Sequence, residues 1–443
     1  MFAEHHHLKM DNPETQINVL KPRTVRQHPE QPWSNLVTPL GQLSTAVRMF
    51  GALPLERWVP GYKGIIGHRG YPDTTSNGDI LPESTAGAFN LCISTGISIM
   101  ETDAAPVKYD EDVRAFHDKT GGRWTEQNVP TEDMDFSNDV KYVVRVNDIE
   151  GRKLGSVAKT TNQVVLALKD LVQIGKSAQE RARDEGIEIN IRWLIDCRDT
   201  SAPFAIRDVM RLSKSERNFF YIQLLNFGIE GFDDLEGQVK RLRVPDEWPE
   251  VLKYVLSPNH DGLNVVAGVS RVDLRSDVHL AANIRWVQGL ADRMNVVGLH
   301  APRNGAADDW QNGTGPFKFG DLPDEDRHPF YADMISKHLQ EFWRKTYPRK
   351  PLISPSALPT ITIDGSHYVS TWSNPMILAK LDPEHVPKDY YAIQLGDAAK
   401  HITEWGADYV LTDNIPQTAF DLAFHVDKLG KTEFYRSLLD PQF

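Results

Sequence analysis

The sequence predicts an α/β protein, a (β/α)8 TIM barrel with extended loops at the C-terminal face. Three observations carry that expectation. From Gly64 onward, short apolar runs alternate with longer amphipathic stretches; the runs number eight; and nearly every run ends in charged or hydrogen-bonding residues. Buried strands alternating with helices imply a parallel sheet. A doubly wound open sheet leaves a similar trace, but eight strands favour closure. Polar residues collected at strand ends fit the face on which such barrels carry their active sites.

The elements follow in order. Residues 1–40 are polar and proline-containing without sustained periodicity, and a loose arm is expected there. Residues 41–443 are expected to form a single barrel domain. The strand candidates are GIIGHRG (64–70), ISIMETDAA (97–105), INIRWLIDCR (189–198), FFYIQLL (219–225), NVVAGVS (264–270), MNVVGLHAP (294–302), HYVSTWSN (367–374) and ADYVLTDN (407–414). Helical patterns lie between most of them, at 84–96, 163–186, 205–214, 278–293, 332–348 and 397–406. After the sixth strand comes a loop insertion at 303–329, rich in glycine and carrying Trp310, Phe317 and Phe319. A long loop at the catalytic end is read as a lid or as a surface insertion.

Composition bounds the function. The chain has 443 residues, 40% of them hydrophobic and 25% charged, ample for a large core. A net charge of -12 repels nucleic-acid phosphates and anionic membranes, so neither is expected as a partner. A small anion is still admissible where arginines and a bound cation reverse the local field. Cys92 and Cys197 sit in apolar stretches and read as buried, reduced thiols. No apolar run approaches the ~18 residues of a membrane span. The N-terminus lacks the apolar core of a secretory signal, so a cytoplasmic enzyme is expected. His5 to His7 are given no function.

Glu101 and Asp103 are two apart on one strand, so their side chains share a face. Asp196 and Arg198 repeat that spacing on the next barrel strand. Taken singly, the first two serve as turn caps and Asp196 as the ion-pair partner of Arg198. Converging at a barrel mouth, three carboxylates repel one another, and a hard divalent cation with oxygen ligands resolves the repulsion. His68 ends the first strand, and His117 follows the hairpin after Asp103. Two imidazoles beside a cation suit general acid–base work near neutral pH. Arg69 and Arg198 are able to hold a phosphate by charge-assisted bonds.

In chain order the motifs are GHRG (67–70), LPESTAGAF (81–89), METD (100–103) and FHD (116–118). Then come DCR (196–198), TWSN (371–374) and LTDN (411–414). The ordered set, spanning Gly64 to Gln417, resembles the signature of the glycerophosphodiester phosphodiesterase family: HRG, PENT with a helix, ExD, HD, acid-x-Lys, TW-x-x-N and TDNP. The resemblance implies a phosphoric diester hydrolase acting on a glycerophosphodiester or a lysophospholipid-like substrate. It implies Glu101, Asp103 and Asp196 as ligands of Mg2+ or Ca2+, and His68 and His117 as the acid–base pair. Arg69 would hold the phosphate, Glu83 would order the site and Trp372 would line the pocket. A hydroxyl of the substrate alcohol would attack its own phosphodiester, and the resulting cyclic phosphate would then be released or hydrolysed.

Departures accompany the match. PENT is PEST here, with Ser84 for asparagine, and Asp196 and Arg198 stand where the family has glutamate and lysine. Aspartate is a methylene shorter, and arginine forks where lysine does not. Three rival readings are weighed. A sphingomyelinase D-like phospholipase stops at the cyclic phosphate; the HRG motif and the missing disulfides weigh against it. A catalytically silent barrel binding a phosphorylated ligand needs no histidine pair. A glycoside hydrolase takes its carboxylates from separate strands about 5–10 Å apart.

Overall fold

The computed structural model describes residues 49–438, with internal breaks of which the longer are 146–156, 226–262, 302–328 and 370–401. The expected arm over 1–40, Arg198, Trp372 and all but the last residue of the 303–329 insertion lie outside the described residues.

Eight parallel strands close into a barrel: β1 (Gly64–Gly67), β2 (Ile99–Ala105), β3 (Arg192–Cys197), β4 (Phe220–Leu225), β5 (Asn264–Gly268), β6 (Asn295–His300), β7 (Leu352–Pro355) and β8 (Tyr409–Thr412). Each pairs with its neighbours in chain order. β1 closes the ring, with four residues in register against β8 and Gly67 opposite Met100 of β2. Sequential neighbours and parallel crossovers are what short connections through helices produce. The strands are apolar along most of their length because both faces are covered, the inner by the barrel filling and the outer by helices.

The outer layer includes α1 (Ala86–Ser94), α2 (Leu168–Asp184), α3 (Ser201–Arg211), α4 (Asp277–Arg293), α5 (Pro329–Thr346) and α6 (Ile415–Lys428). Thr85 caps α1 by accepting from the Ala88 amide at 3.3 Å. Phe89 of α1 meets Trp193 on the outer face of β3 edge-on, ring centroids 4.8 Å apart. Gly67 lets α1 approach β1: a Cβ there would stand 2.6 Å from Cys92 Sγ. Cys92 and Cys197 are free and fully buried, and burial raises both thiol pKa values.

The seventh strand differs from expectation. Leu352–Pro355 takes that place, parallel to β6 and β8. Ser366–Val369, which overlaps the start of the HYVSTWSN run, instead pairs antiparallel with Thr360–Ile363 as a separate hairpin. Four residues ending in proline give little strand signal, whereas the later run carries Tyr368, Val369, Thr371 and Trp372, residue types that favour strands. The helix expected from residue 163 begins at Leu168; Val157–Val164 pairs antiparallel with Lys141–Arg145, as its β-branched content favours.

Between β2 and α2 the chain makes a long excursion with a core of its own: Phe116, Trp124, Met134, Val140, Tyr142 and Val165, joined to the barrel through Ala105. At the opposite, N-terminal mouth, residues 53–62 close the barrel. Leu55–Arg57 forms a 3-10 turn whose first amide donates to the Tyr221 hydroxyl at 3.1 Å. Tyr221 in turn donates to Glu56, which Arg192 holds at 2.6 Å. The Tyr409 hydroxyl donates to the Leu53 carbonyl at 2.7 Å.

Candidate active site

Strand parity sets which residues share the barrel's inner face at its C-terminal end. Asp103 is in register with Asp196, and Asp196 with Gln223. Glu101 precedes Asp103 by two, so it shares that face one step lower in the barrel. His68 follows β1 on the Ile66 side, and its amide donates to the Thr412 carbonyl at 2.9 Å, which pins it to β8. Five of the predicted site residues, His68, Arg69, Glu101, Asp103 and Asp196, are thus gathered from three adjacent strands.

The three carboxylates converge. Glu101, Asp103 and Asp196 each offer an oxygen within 4.8 Å of the others, and all three are buried. Burial first, then the charge of Asp103, pushes the Glu101 carboxyl up to about 8, against the pull of His68 and Arg69. An all-oxygen set of buried acids that resist joint ionisation is what a hard dication relieves, so the chemistry of these residues fits a hard divalent cation. His68 Nε2 lies 3.7 Å from Glu101 Oε2.

Arg69 organises the acids. Its φ of 53° is a left-handed turn, which aims its amide at Glu101 Oε2, 3.2 Å away. Its guanidinium lies 2.8 Å from Asp103 Oδ2 and donates to both Glu83 oxygens at 3.2 Å. Ser84 has a similar φ of 55°, its amide donates to the Arg69 carbonyl at 2.9 Å, and its hydroxyl accepts from Thr102 at 2.9 Å. The PEST segment therefore locks the HRG turn, with Glu83 held against the Arg69 guanidinium. Arg69, expected to hold phosphate, is in this structure engaged by two acids.

His117 arrives from the excursion. Arg114–Ala115 pairs antiparallel with the end of β2, and the Phe116 amide donates to the Asp103 carbonyl at 3.0 Å. Phe116 is anchored in the satellite core, which leaves His117 half-buried beside Asp118, Nδ1 to Oδ1 2.7 Å. Thr131 donates to the Asp118 carbonyl at 2.6 Å and steadies the loop. Glu83, His117 and Asp118 also offer atoms within 4.8 Å of one another, which ties the histidine to the Arg69–Glu83 pair. A carboxylate on Nδ1 fixes the tautomer and orientation of an imidazole used for proton transfer.

Sequence reasoning left three residues out. Asp118 stood in the FHD motif but received no role. Gln223, 1% exposed, donates from Nε2 to Asp196 Oδ1 at 2.9 Å; the signal was a lone amide in an apolar strand. His300 ends β6 in register with Gly268, on the inner face by parity. In the sequence it is legible only as a polar strand end.

No family model and no curated protein matches the chain. Among solved structures, it is similar to a glycerophosphoryl diester phosphodiesterase from Parabacteroides distasonis at 13% identity, over 90% of this chain and 96% of that one, with a TM-score of 0.43. A glycerophosphodiester phosphodiesterase from Thermotoga maritima aligns at 13% identity over 82% of this chain and 97% of that one, TM-score 0.33. A third, described as a putative glycerophosphoryl diester phosphodiesterase, from Silicibacter pomeroyi, aligns at 12% over 86% and 98%, TM-score 0.35. The barrel itself rests on its own strand pairing.

Proposed function

We propose that the protein is a divalent-cation-dependent phosphoric diester hydrolase. Within that class we assign it to the glycerophosphodiester phosphodiesterases, acting on a glycerophosphodiester or lysophospholipid-like substrate. What carries the reading is the convergence of Glu101, Asp103 and Asp196 with His68 only 3.7 Å from one of them. The ordered motifs from HRG to TDN give the same assignment.

Glu101, Asp103 and Asp196 would hold Mg2+ or Ca2+, and the bound cation would supply neutralisation of charge on the phosphoryl oxygens. The protein's own groups do the rest. Arg69 keeps Glu101, Asp103 and Glu83 in place, so the ligand oxygens stay aimed at one point. One histidine takes the proton of a hydroxyl on the substrate alcohol as that oxygen attacks phosphorus, and the other donates a proton to the departing alcohol. Asp118 holds the His117 ring for its part in this exchange. The product is a cyclic phosphate, released as such or opened by water activated in the reverse sense.

The test is a hydrolysis screen over glycerophosphodiesters, lysophospholipids and sphingomyelin with Mg2+ or Ca2+, read by phosphorus NMR. Turnover of glycerophosphodiesters that a chelator abolishes is the expected result. Undiminished turnover in chelator removes the cation, and no turnover of any phosphodiester removes the assignment.

A further inference from the structure

Gln223 lies beside the three acids, yet neither the motifs nor the acid–base scheme uses it. Its side chain is in the same register layer as Asp103 and Asp196, on the inner face of β4. The amide orientation follows from chemistry: a carboxylate oxygen 2.9 Å away needs a donor, so Nε2 faces Asp196. Oε1 is then left buried with no donor among the described residues. The next strand makes room for the side chain. At Gly268 of β5 a Cβ would stand 3.1 Å from Gln223 Cγ and 2.5 Å from Leu225 Cδ2.

A glutamine used only as filling would be better replaced by leucine, since a buried carbonyl oxygen without a donor destabilises the fold. We propose that Gln223 is a positioning residue of the cation centre. Its Nε2 occupies one oxygen of Asp196 and turns the other toward the cation. Its Oε1 accepts from an O–H group brought by the bound species, either a water on the cation or a hydroxyl of the substrate alcohol. The role rests on the cation-dependent reading above. Such partners of metal-ligating carboxylates typically change affinity about ten- to a hundredfold when removed.

The experiment uses the full chain and two variants, Gln223→Leu and Gln223→Met, the second keeping the side-chain length. Mg2+ and Ca2+ are titrated calorimetrically, glycerol 3-phosphate is titrated at saturating cation, and the melting temperature of the cation-free protein is recorded. Cation affinity roughly tenfold weaker in both variants, with a melting temperature unchanged or raised, is the expected result and makes water the donor. Unchanged cation affinity with weakened glycerol 3-phosphate binding also supports the role and makes the substrate hydroxyl the donor. Both affinities unchanged, or a lowered melting temperature with both affinities kept, overturns it. Absence of cation binding by the wild-type protein overturns the cation centre itself, whereas wild-type binding with indifferent variants overturns only the role of Gln223.

Discussion

His68 and His117 reach the acids through different contacts, His68 directly at Glu101 and His117 through Asp118 and Glu83. In the proposed reaction each moves one proton. His68→Ala and His117→Ala should each lower kcat by roughly a hundredfold or more while circular dichroism stays native. Near-normal turnover by both variants on the authentic substrate takes them out of the mechanism. Glu101 sets a second expectation at this scale. Its carboxyl titrates near 4.5 in the unfolded chain and at about 8 in the cation-free fold. Between those values the native state holds the extra proton. The contribution of Glu101 to stability is therefore fully present below 4.5, falls as pH rises, and is gone above about 8. A dication must displace that proton, so binding at pH 6 should release one that binding at pH 9 does not. Calorimetry in two buffers of different ionisation enthalpy measures this, and equal proton release at both pH values contradicts it.

Among the elements, the excursion between β2 and α2 is the one whose packing and chemistry are most closely joined. Its core touches the barrel through Ala105, and Phe116 carries the neighbouring His117. Met134 is fully buried there. Met134→Ala should destabilise this unit by about 2–5 kcal/mol through the cavity it leaves. Hydrogen exchange should then quicken over 113–165, kcat should fall, and cation affinity should hold, because Glu101, Asp103 and Asp196 stand on β2 and β3. Equal loss of protection in the barrel strands would show that the excursion does not melt as a separate unit. The legibility of the elements follows their length. β2, β3, β4 and β6 are six or seven residues long and mainly apolar, each with one to three polar residues, and the sequence displays them openly. β7 has four residues, LISP, and ends in Pro355, so its strand signal is weaker than that of the nearby hairpin strand Ser366–Val369, where Tyr368 and Val369 favour extended chain. Within the site, the three acids and His68 were legible because period-two spacing and strand ends are local signals. Gln223 was not, because its significance lies in its register with Asp196, a pairing made only once β3 and β4 lie side by side.

At the scale of the whole molecule, the barrel separates two kinds of polar cluster by its length. The acids and His68 occupy the C-terminal mouth, while Glu56, Arg192 and Tyr221 join the segment before β1 to the N-terminal mouth. Tyr221 and Gln223 are two apart on β4, so both face inward, one toward each end of the barrel. Burial, with the nearby Glu56 charge, keeps the Tyr221 phenol protonated and able to donate to Glu56. In barrels of this architecture, chemistry resides at the C-terminal face and the N-terminal face serves stability. Glu56→Ala leaves the Tyr221 hydroxyl and the Arg192 guanidinium without their carboxylate, at a cost of about 1–3 kcal/mol. The expected outcome is a lower thermal or urea midpoint, with kcat/KM and cation affinity unchanged at temperatures well below the transition. Comparable loss of kcat/KM at 25 °C, where the variant is still folded by circular dichroism, would mean that the two mouths are coupled through β4. In that event Gln223, two residues from Tyr221 on that strand and bonded to Asp196, is the first place to look for the coupling.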